Sequence, residues 1–421
     1  MSTKTFRGGA TAVGQIDSLT VGGTVEVTDL FKLTIGNKTV TVAAGSTTPA
    51  TVAPNIVNAI NALTAADHGG FVDVLAIDGS GGSFHLEARW PGRPFTCSVE
   101  TTEGDESPAD DQTFSNSTTQ ASSGPEHWTT AANWDAGAVP ISGDAVVIDG
   151  LRGKILYGLD QGAVSLASLT IRNLARTGEI GLPRWNPRGY PEYRPQYLAI
   201  GADAITIEDT TALGSGRIKI DHGTQQTAVV ISAKGSPAET GVPAILLQGS
   251  HASNTLTITR GNVGVAFFSA ETAGYDTTIL GSSAAASAGA TLRLGSGAAV
   301  ASITKNSGVL ETYCNLTTLN QRAGTVSVLG AASVGTLTAS GIVRYKSSGT
   351  LTSATLRSGA VLDFRGSAAA RTVVDLVAPK GAKVYDPNGT TTFTNPIQLK
   401  DCLPNELVLQ LGSPHSVVPM V

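Results

Sequence analysis

Leu316-Thr-Thr-Leu-Asn-Gln-Arg-Ala-Gly-Thr-Val-Ser-Val328 and Val334-Gly-Thr-Leu-Thr-Ala-Ser-Gly-Ile-Val-Arg-Tyr345 are two copies of one phrase: an aliphatic segment, a glycine-bearing turn, a second aliphatic segment. The phrase continues in both directions. Leucine or isoleucine falls at Ile303, Leu319, Leu337, Leu356 and Leu376, in steps of 16, 18, 19 and 20 residues. Each is followed by a turn glycine (Gly308, Gly324, Gly341, Gly359, Gly381) and then by Val309, Val326, Ile342, Val361 or Val384. A loose period near 20 is that of a stacked architecture whose units bury their apolar faces only against neighbours. The fold expected is mainly β, a β-solenoid (parallel β-helix).

Working towards the N-terminus, short apolar runs recur at 145–148, 166–171, 197–200, 205–207, 217–220, 229–231, 245–247, 256–258, 279–280 and 292–294. Gly, Ser, Asn and Asp separate them and no helical pattern intervenes. The solenoid is therefore expected over 127–421, with roughly 10 to 14 coils rising ~4.8 Å each and a length of roughly 50 to 65 Å. Both ends need covering, because open strand edges template aggregation. The less periodic tail, from Val384 through Leu407-Val-Leu-Gln-Leu411, is expected to close the far end.

Residues 1–100 read as a small α+β domain. Leu30-Phe-Lys-Leu-Thr-Ile35, Gly36-Asn37 and Lys38-Thr-Val-Thr-Val42 spell a two-residue hairpin. Val52, Ile56, Ile60 and Leu63 lie at helical spacing, which predicts a helix over 50–64. Runs at 71–77, 83–88 and 95–99 complete the module. Residues 101–126, acidic and then rich in Ser and Thr, read as a linker with one edge strand around 112–118.

The chain has 421 residues and a net charge of -5, with no run of Lys and Arg interleaved with aromatics, so nucleic acid is not an expected partner. Six scattered histidines lack metal-ligand spacing, and Asp78-Gly-Ser-Gly-Gly82 and Asp386-Pro-Asn-Gly389 read as plain turns. Neither metal nor cofactor is expected. Three distant cysteines (Cys97, Cys314, Cys402) read as reduced thiols of a protein made in a reducing cytosol. No signal peptide or membrane span is expected.

Two strings stand out. In His127-Trp-Thr-Thr-Ala-Ala-Asn-Trp134, followed by Gly143-Asp144, the residues Trp128 and Trp134 can cover the first coil while Asp144 binds turn amides. In Leu182-Pro-Arg-Trp-Asn-Pro-Arg-Gly-Tyr-Pro-Glu-Tyr-Arg-Pro-Gln-Tyr197, four prolines exclude a central strand, and Arg184, Trp185, Arg188, Tyr190, Tyr193, Arg194 and Tyr197 are side chains that anchor interfaces. Three readings stay open for this loop: folding back over the flank of the same chain, contact with a neighbouring subunit, and a carbohydrate platform. The acids Asp149, Asp160, Glu179, Asp203, Glu208, Asp209 and Asp221 each sit beside a turn or strand end, where acids are common, so no catalytic residue is expected.

The string from Trp128 through Pro140 to Ile148 resembles the opening segment of many bacterial and phage β-solenoid domains, and 127–421 is similar to the glycine-rich solenoids of phage fibres, head decorations and bacterial surface proteins. The run FKLTIGNKTVTVAAG, the helix VAPNIVNAINAL and the string FHLEARWPGRPFTCSV, within 30–99, look like a small domain of tailed-phage tail and virion components. That resemblance implies a non-enzymatic virion structural protein, assembled in the host cytoplasm. Its implied partners are further copies of itself, a trimer among the assemblies considered, and other virion proteins. The alternative is a glycan-binding or glycan-cleaving tailspike-type protein facing a host surface glycan.

Overall fold

The computed structural model describes residues 2–104, 111–149, 153–172, 178–209, 216–235, 239–282 and 289–420. The acidic stretch 105–110 and most of the glycine/serine corner expected at 281–289 lie outside these. The chain is mainly β with a large parallel sheet. In a first ladder, Thr3–Phe6 pairs with Ala145–Asp149, followed by Ser168–Arg172, Ala204–Glu208, Ala228–Ser232 and Thr255–Val265. It continues through Ala273–Leu280, Ala298–Lys305, Leu316–Gln321, Val334–Ala339, Leu351–Leu356 and Arg371–Pro379. A second ladder takes the strands in between, including Ala290–Leu294, Val309–Thr312, Thr325–Val328, Ile342–Tyr345, Val361–Asp363 and Lys383–Asp386. Over this stretch consecutive strands go to alternate ladders and every pairing is parallel.

The register corrects two details of the expected repeat. The inward column of the first ladder is Ile303, Leu319, Leu337, Ala354 and Leu376, because Leu337 pairs with Ala354, and Leu356 stands opposite Ala339. Residues two apart share a face, so spacing alone could not separate Ala354 from Leu356. In the second ladder the inward column is Leu292, Leu310, Val326, Val343, Leu362 and Val384. Val309, Ile342 and Val361 face outward, a slip of one position that reverses the face. Every inward residue in both columns is at most 1% exposed, and burial of each aliphatic side chain contributes about 1.5–3 kcal/mol.

The turns stack as well. Gly308, Gly324, Gly359 and Gly381 adopt φ between 77° and 80°, a region that suits glycine, whereas Gly341 does not. Gly341 is needed for a different reason: a Cβ there would lie 2.5 Å from the carbonyl oxygen of Gly324. Lys305, fully buried, donates from Nζ to the Ala323 carbonyl, and Gln321 donates to those of Gly324 and Ile342. Burial lowers the Lys305 amine to about 8.

The outward face of the first ladder carries no charge in two adjacent columns over seven strands. One column reads Ala228, Thr255, Thr277, Ser302, Thr318, Thr336, Ser353, and the other Val230, Thr257, Ile279, Thr304, Asn320, Thr338, Thr355. On the second ladder, by contrast, the outward Arg293 and Glu311 form an ion pair at 2.9 Å.

The small module forms two antiparallel sheets around its own core. Val74–Asp78, Ser83–Ala88, Ile16–Gly23 and Gln112–Gln120 form one, while Lys38–Ala43, Leu30–Ile35 and Cys97–Thr102 form the other. The helix Pro49–Asn61 buries Val52, Ala53, Ile56, Val57 and Ile60. Two pairings cross the boundaries expected at 100 and 126. Gln112–Gln120, placed in a linker, is an edge strand of the module along Ile16–Gly23. Thr3–Phe6, placed in the module, is a rung of the first ladder, so the module is inserted between that rung and Ala145–Asp149. The outgoing and returning segments are bonded to each other through Val13 and Ser123, and through the Asn133 side chain, which joins Ala10, Gly124 and His127.

At the near end stand Trp128 and Trp134. Both are buried, their rings meet edge-on at 4.8 Å, and Phe6 packs on Trp134 at 5.2 Å. Segment 133–135 bonds along the free edge of Thr3–Phe6: Arg7 N–H donates to the Asn133 carbonyl and Asp135 N–H to the Thr5 carbonyl. At the far end, Ile397–Lys400, Val408–Leu411 and Val417–Pro419 extend the ladders as further parallel rungs. Pro419 lacks a donor, which blunts that edge.

Asp144 accepts from the Ser2 hydroxyl at 2.6 Å and the Ile141 amide at 3.1 Å, and pairs with Lys4 at 3.4 Å. The Ser2 bond, against a burial effect of opposite sign and aided by Ile141 and Lys4, holds its carboxyl down at about 2. The folded value lies below the unfolded one, so this contribution is complete above about pH 4 and is lost as pH falls towards 2. Asp144→Asn is expected to lower stability at pH 7 by about 1–3 kcal/mol. It should also flatten the acid limb between pH 4 and 2, read as urea midpoints across that range; an unchanged acid limb would refute the assignment.

Candidate functional site

The loop 182–197 leaves the second ladder after Ile180, which bridges Ile155 on one side and Ile218 on the other. Leu182 N–H closes it by donating to the Gln196 carbonyl at 3.0 Å. Four prolines and a Trp185 to Pro191 bridge hold it as a narrow finger, and Asn186 Nδ2 ties it internally by donating to Glu192 at 3.0 Å. Glu192 and Arg194 form a two-point pair at 2.7 and 2.9 Å, both side chains buried. Burial alone would neutralise both groups; their mutual hydrogen bonds outweigh it, lowering the Glu192 carboxyl and raising the Arg194 guanidinium.

The finger reaches the α+β module. Tyr190 donates its hydroxyl to Asp73, and burial, reinforced by that bond, raises the phenol. Arg188 pairs with Asp73 at 3.3 Å and lies over the Trp90 ring, and Arg194 donates to the Pro94 carbonyl at 3.1 Å. Tyr193 lies flat on the backbone of the module: a Cβ at Gly36 or Gly70 would fall within 2.4 and 2.8 Å of its ring. Nearer the ladders, Arg184 stacks on Phe268 at 4.3 Å and Tyr197 donates to Glu271. The loop thus folds against the flank of its own chain. Six of the seven residues put forward as subunit contacts meet partners within the chain, because the inserted module stands against the ladder at this point. Trp185 differs, being 60% exposed.

Between finger, module and ladder lies a groove of about 400 Å³ with Trp185 on its rim. Its lining alternates in sign: Arg93, Glu126, Lys154, Glu179 and Arg217. Arg217 bonds Glu179 at 3.3 Å and the Gly181 carbonyl at 3.0 Å. Burial lowers its guanidinium, against the pull of Glu179. The Glu126 carboxyl is raised, chiefly by burial, with Lys154 and Arg93 opposing and Glu179 reinforcing. Behind the groove, Lys219 is fully buried between Gln196 at 3.3 Å and Glu239 at 3.8 Å, and burial lowers its amine to about 8. An exposed indole above paired donors and acceptors can stack on and hydrogen-bond a polyhydroxylated ligand.

Of the acids weighed from sequence, only Glu179 enters this groove. Asp149 pairs with Arg172 at 2.9 Å, Asp203 accepts from Gln225, and Asp221 accepts from Gly223 in a turn. Asp386 likewise closes its own turn through Thr390 and Thr391. His127 and His222 are buried and both are lowered by it, His222 to about 4, beside the Tyr275 hydroxyl at 2.9 Å. The three cysteines are free thiols. Sequence reasoning passed over Asp73, Trp90, Glu126 and Arg217, which are isolated residues whose only signal is the place to which the fold brings them. Among the described residues, no helix is long and apolar enough to cross a membrane. No family model matches the chain, and no curated protein matches it in sequence.

Proposed function

We propose that the two ladders are the faces of a β-solenoid and that the chain is a structural component of a tailed-phage particle, working by assembly and surface contact. The observation that carries this reading is the long parallel register, closed at its first rung by the N-terminal strand and braced by a module clasped at Asp73. Such a body is stiff, because each strand is held by ladders on both sides and the flanking module is held by buried charge pairs. The resemblance of segment 30–99 to tailed-phage tail and virion components, and of 127–148 to the opening of bacterial and phage solenoid domains, supports the setting. In this reading the partners are copies of the same chain, with a trimer as the assembly to test, and neighbouring virion proteins. The charge-free first-ladder face is the surface offered for those contacts. Mass spectrometry and immunogold labelling of purified particles test the proposal: the protein should be a stoichiometric component, and its absence from washed particles would refute it.

A second reading is favoured by Trp185 alone. As a glycan-binding protein, the chain would retain host surface polysaccharide through the groove, and Trp185→Ala would abolish retention without altering the melt. A reducing-end assay on the same polysaccharide separates binding from cleavage.

A further inference from the structure

Away from the groove, three carboxylates of the α+β module converge. Glu26 and Asp29 belong to the turn between Ile16–Gly23 and Leu30–Ile35, and Glu103 follows Cys97–Thr102. Leu30 stands opposite Thr102 in the antiparallel register, which sets Asp29 beside Glu103 on adjoining chains. One oxygen from each of Glu26, Asp29 and Glu103 lies within 4.8 Å of the others.

Asp29 is the informative member. It has no solvent exposure; its Oδ2 accepts the Glu26 amide at 2.7 Å, while its Oδ1 is buried with no hydrogen-bond partner among the described residues. A buried carboxylate oxygen without a partner is costly, and two more carboxylates at its side add repulsion. An ionised carboxylate donates nothing, so these neighbours satisfy it only where Glu103, whose carboxyl is raised by burial and by its hydrogen bond with Asp29, keeps a proton. A cation satisfies it without one.

We propose that Glu26, Asp29 and Glu103 bind a divalent cation, calcium by preference, pinning the end of strand Cys97–Thr102 to the turn at 26–29. Calcium takes oxygen ligands at about 2.3–2.6 Å, so oxygens around one ion lie up to about 5 Å apart, as these do; magnesium needs a tighter octahedron. Water completes the coordination at the open side, since Glu26 and Glu103 are only partly buried.

The test uses the full-length protein after chelator treatment and dialysis, titrated calorimetrically with calcium chloride and, separately, magnesium chloride, with parallel thermal melts. The expected result is one calcium bound per chain with a Kd between about 10⁻⁵ and 10⁻³ M, and a melting temperature that calcium raises and chelator lowers. Glu26→Gln and Glu103→Gln preserve shape and remove charge, and each should weaken calcium binding by roughly tenfold or more. Asp29→Asn is less decisive, because its buried site tolerates change poorly. Absence of calcium heat and of any melting shift would overturn the proposal, as would unchanged affinity in both glutamine variants. A calcium-indifferent protein that instead gains melting temperature on mild acidification, with the gain lost in Glu103→Gln, would identify a shared proton in place of the ion.

Discussion

Gly324→Ala is expected to destabilise the parallel body by about 3–5 kcal/mol, as much as removing a large core side chain. Three effects add. The φ of 77° costs an alanine about 1 kcal/mol or more. The new Cβ would lie 2.3 Å from the Gly308 carbonyl oxygen, which belongs to backbone already bonded to Thr325 N–H at 3.2 Å. It would also lie 2.5 Å from Lys305 Nζ, displacing a buried amine from the carbonyl that satisfies it. Gly359→Ala is the matched control, with φ at 78° and nothing within 4 Å of its added Cβ, so it should cost about 1 kcal/mol. Denaturant midpoints of the two variants decide the point. Equal losses would mean that stacking of the turns adds nothing beyond their conformation.

Deleting residues 2–6 is expected to remove at least about 4 kcal/mol and to cause concentration-dependent aggregation. The deletion strips Phe6, 4% exposed, from Trp134, takes Ser2 and Lys4 from Asp144, and uncovers the edge of Ala145–Asp149. Arg7→Ala changes a largely exposed side chain and should leave stability within about 0.5 kcal/mol. Light scattering reads the aggregation, and amide exchange at 146–148 reads the edge. A shortened protein that stays monomeric with those amides protected would show that the ladder begins at Ala145.

The alternation of aliphatic runs and turn glycines made the mainly β, parallel-strand character legible, because an inward side chain and a left-handed turn are demands that a sequence meets with few residue types. Face assignment was less legible. Val309, Ile342 and Val361 are β-branched residues that suit either side of a strand, so their type did not betray that they face outward. Thr3–Phe6 is too short to announce a rung, and its partner lies far along the chain. The finger at 182–197 was conspicuous, yet its partners Asp73, Trp90 and Pro94 are ordinary within their own segments. Composition identified a contact surface there and left open what it contacts.

Because the α+β module departs after Phe6 and its chain returns at Ala145, it is joined to the parallel sheet by two covalent limbs side by side, not by one hinge. A single link would allow swivelling about its bonds. Twin limbs, cross-bonded at Val13 and Ser123, share a pulling load and turn a sideways push on the module into torque on the first strands of the parallel ladder.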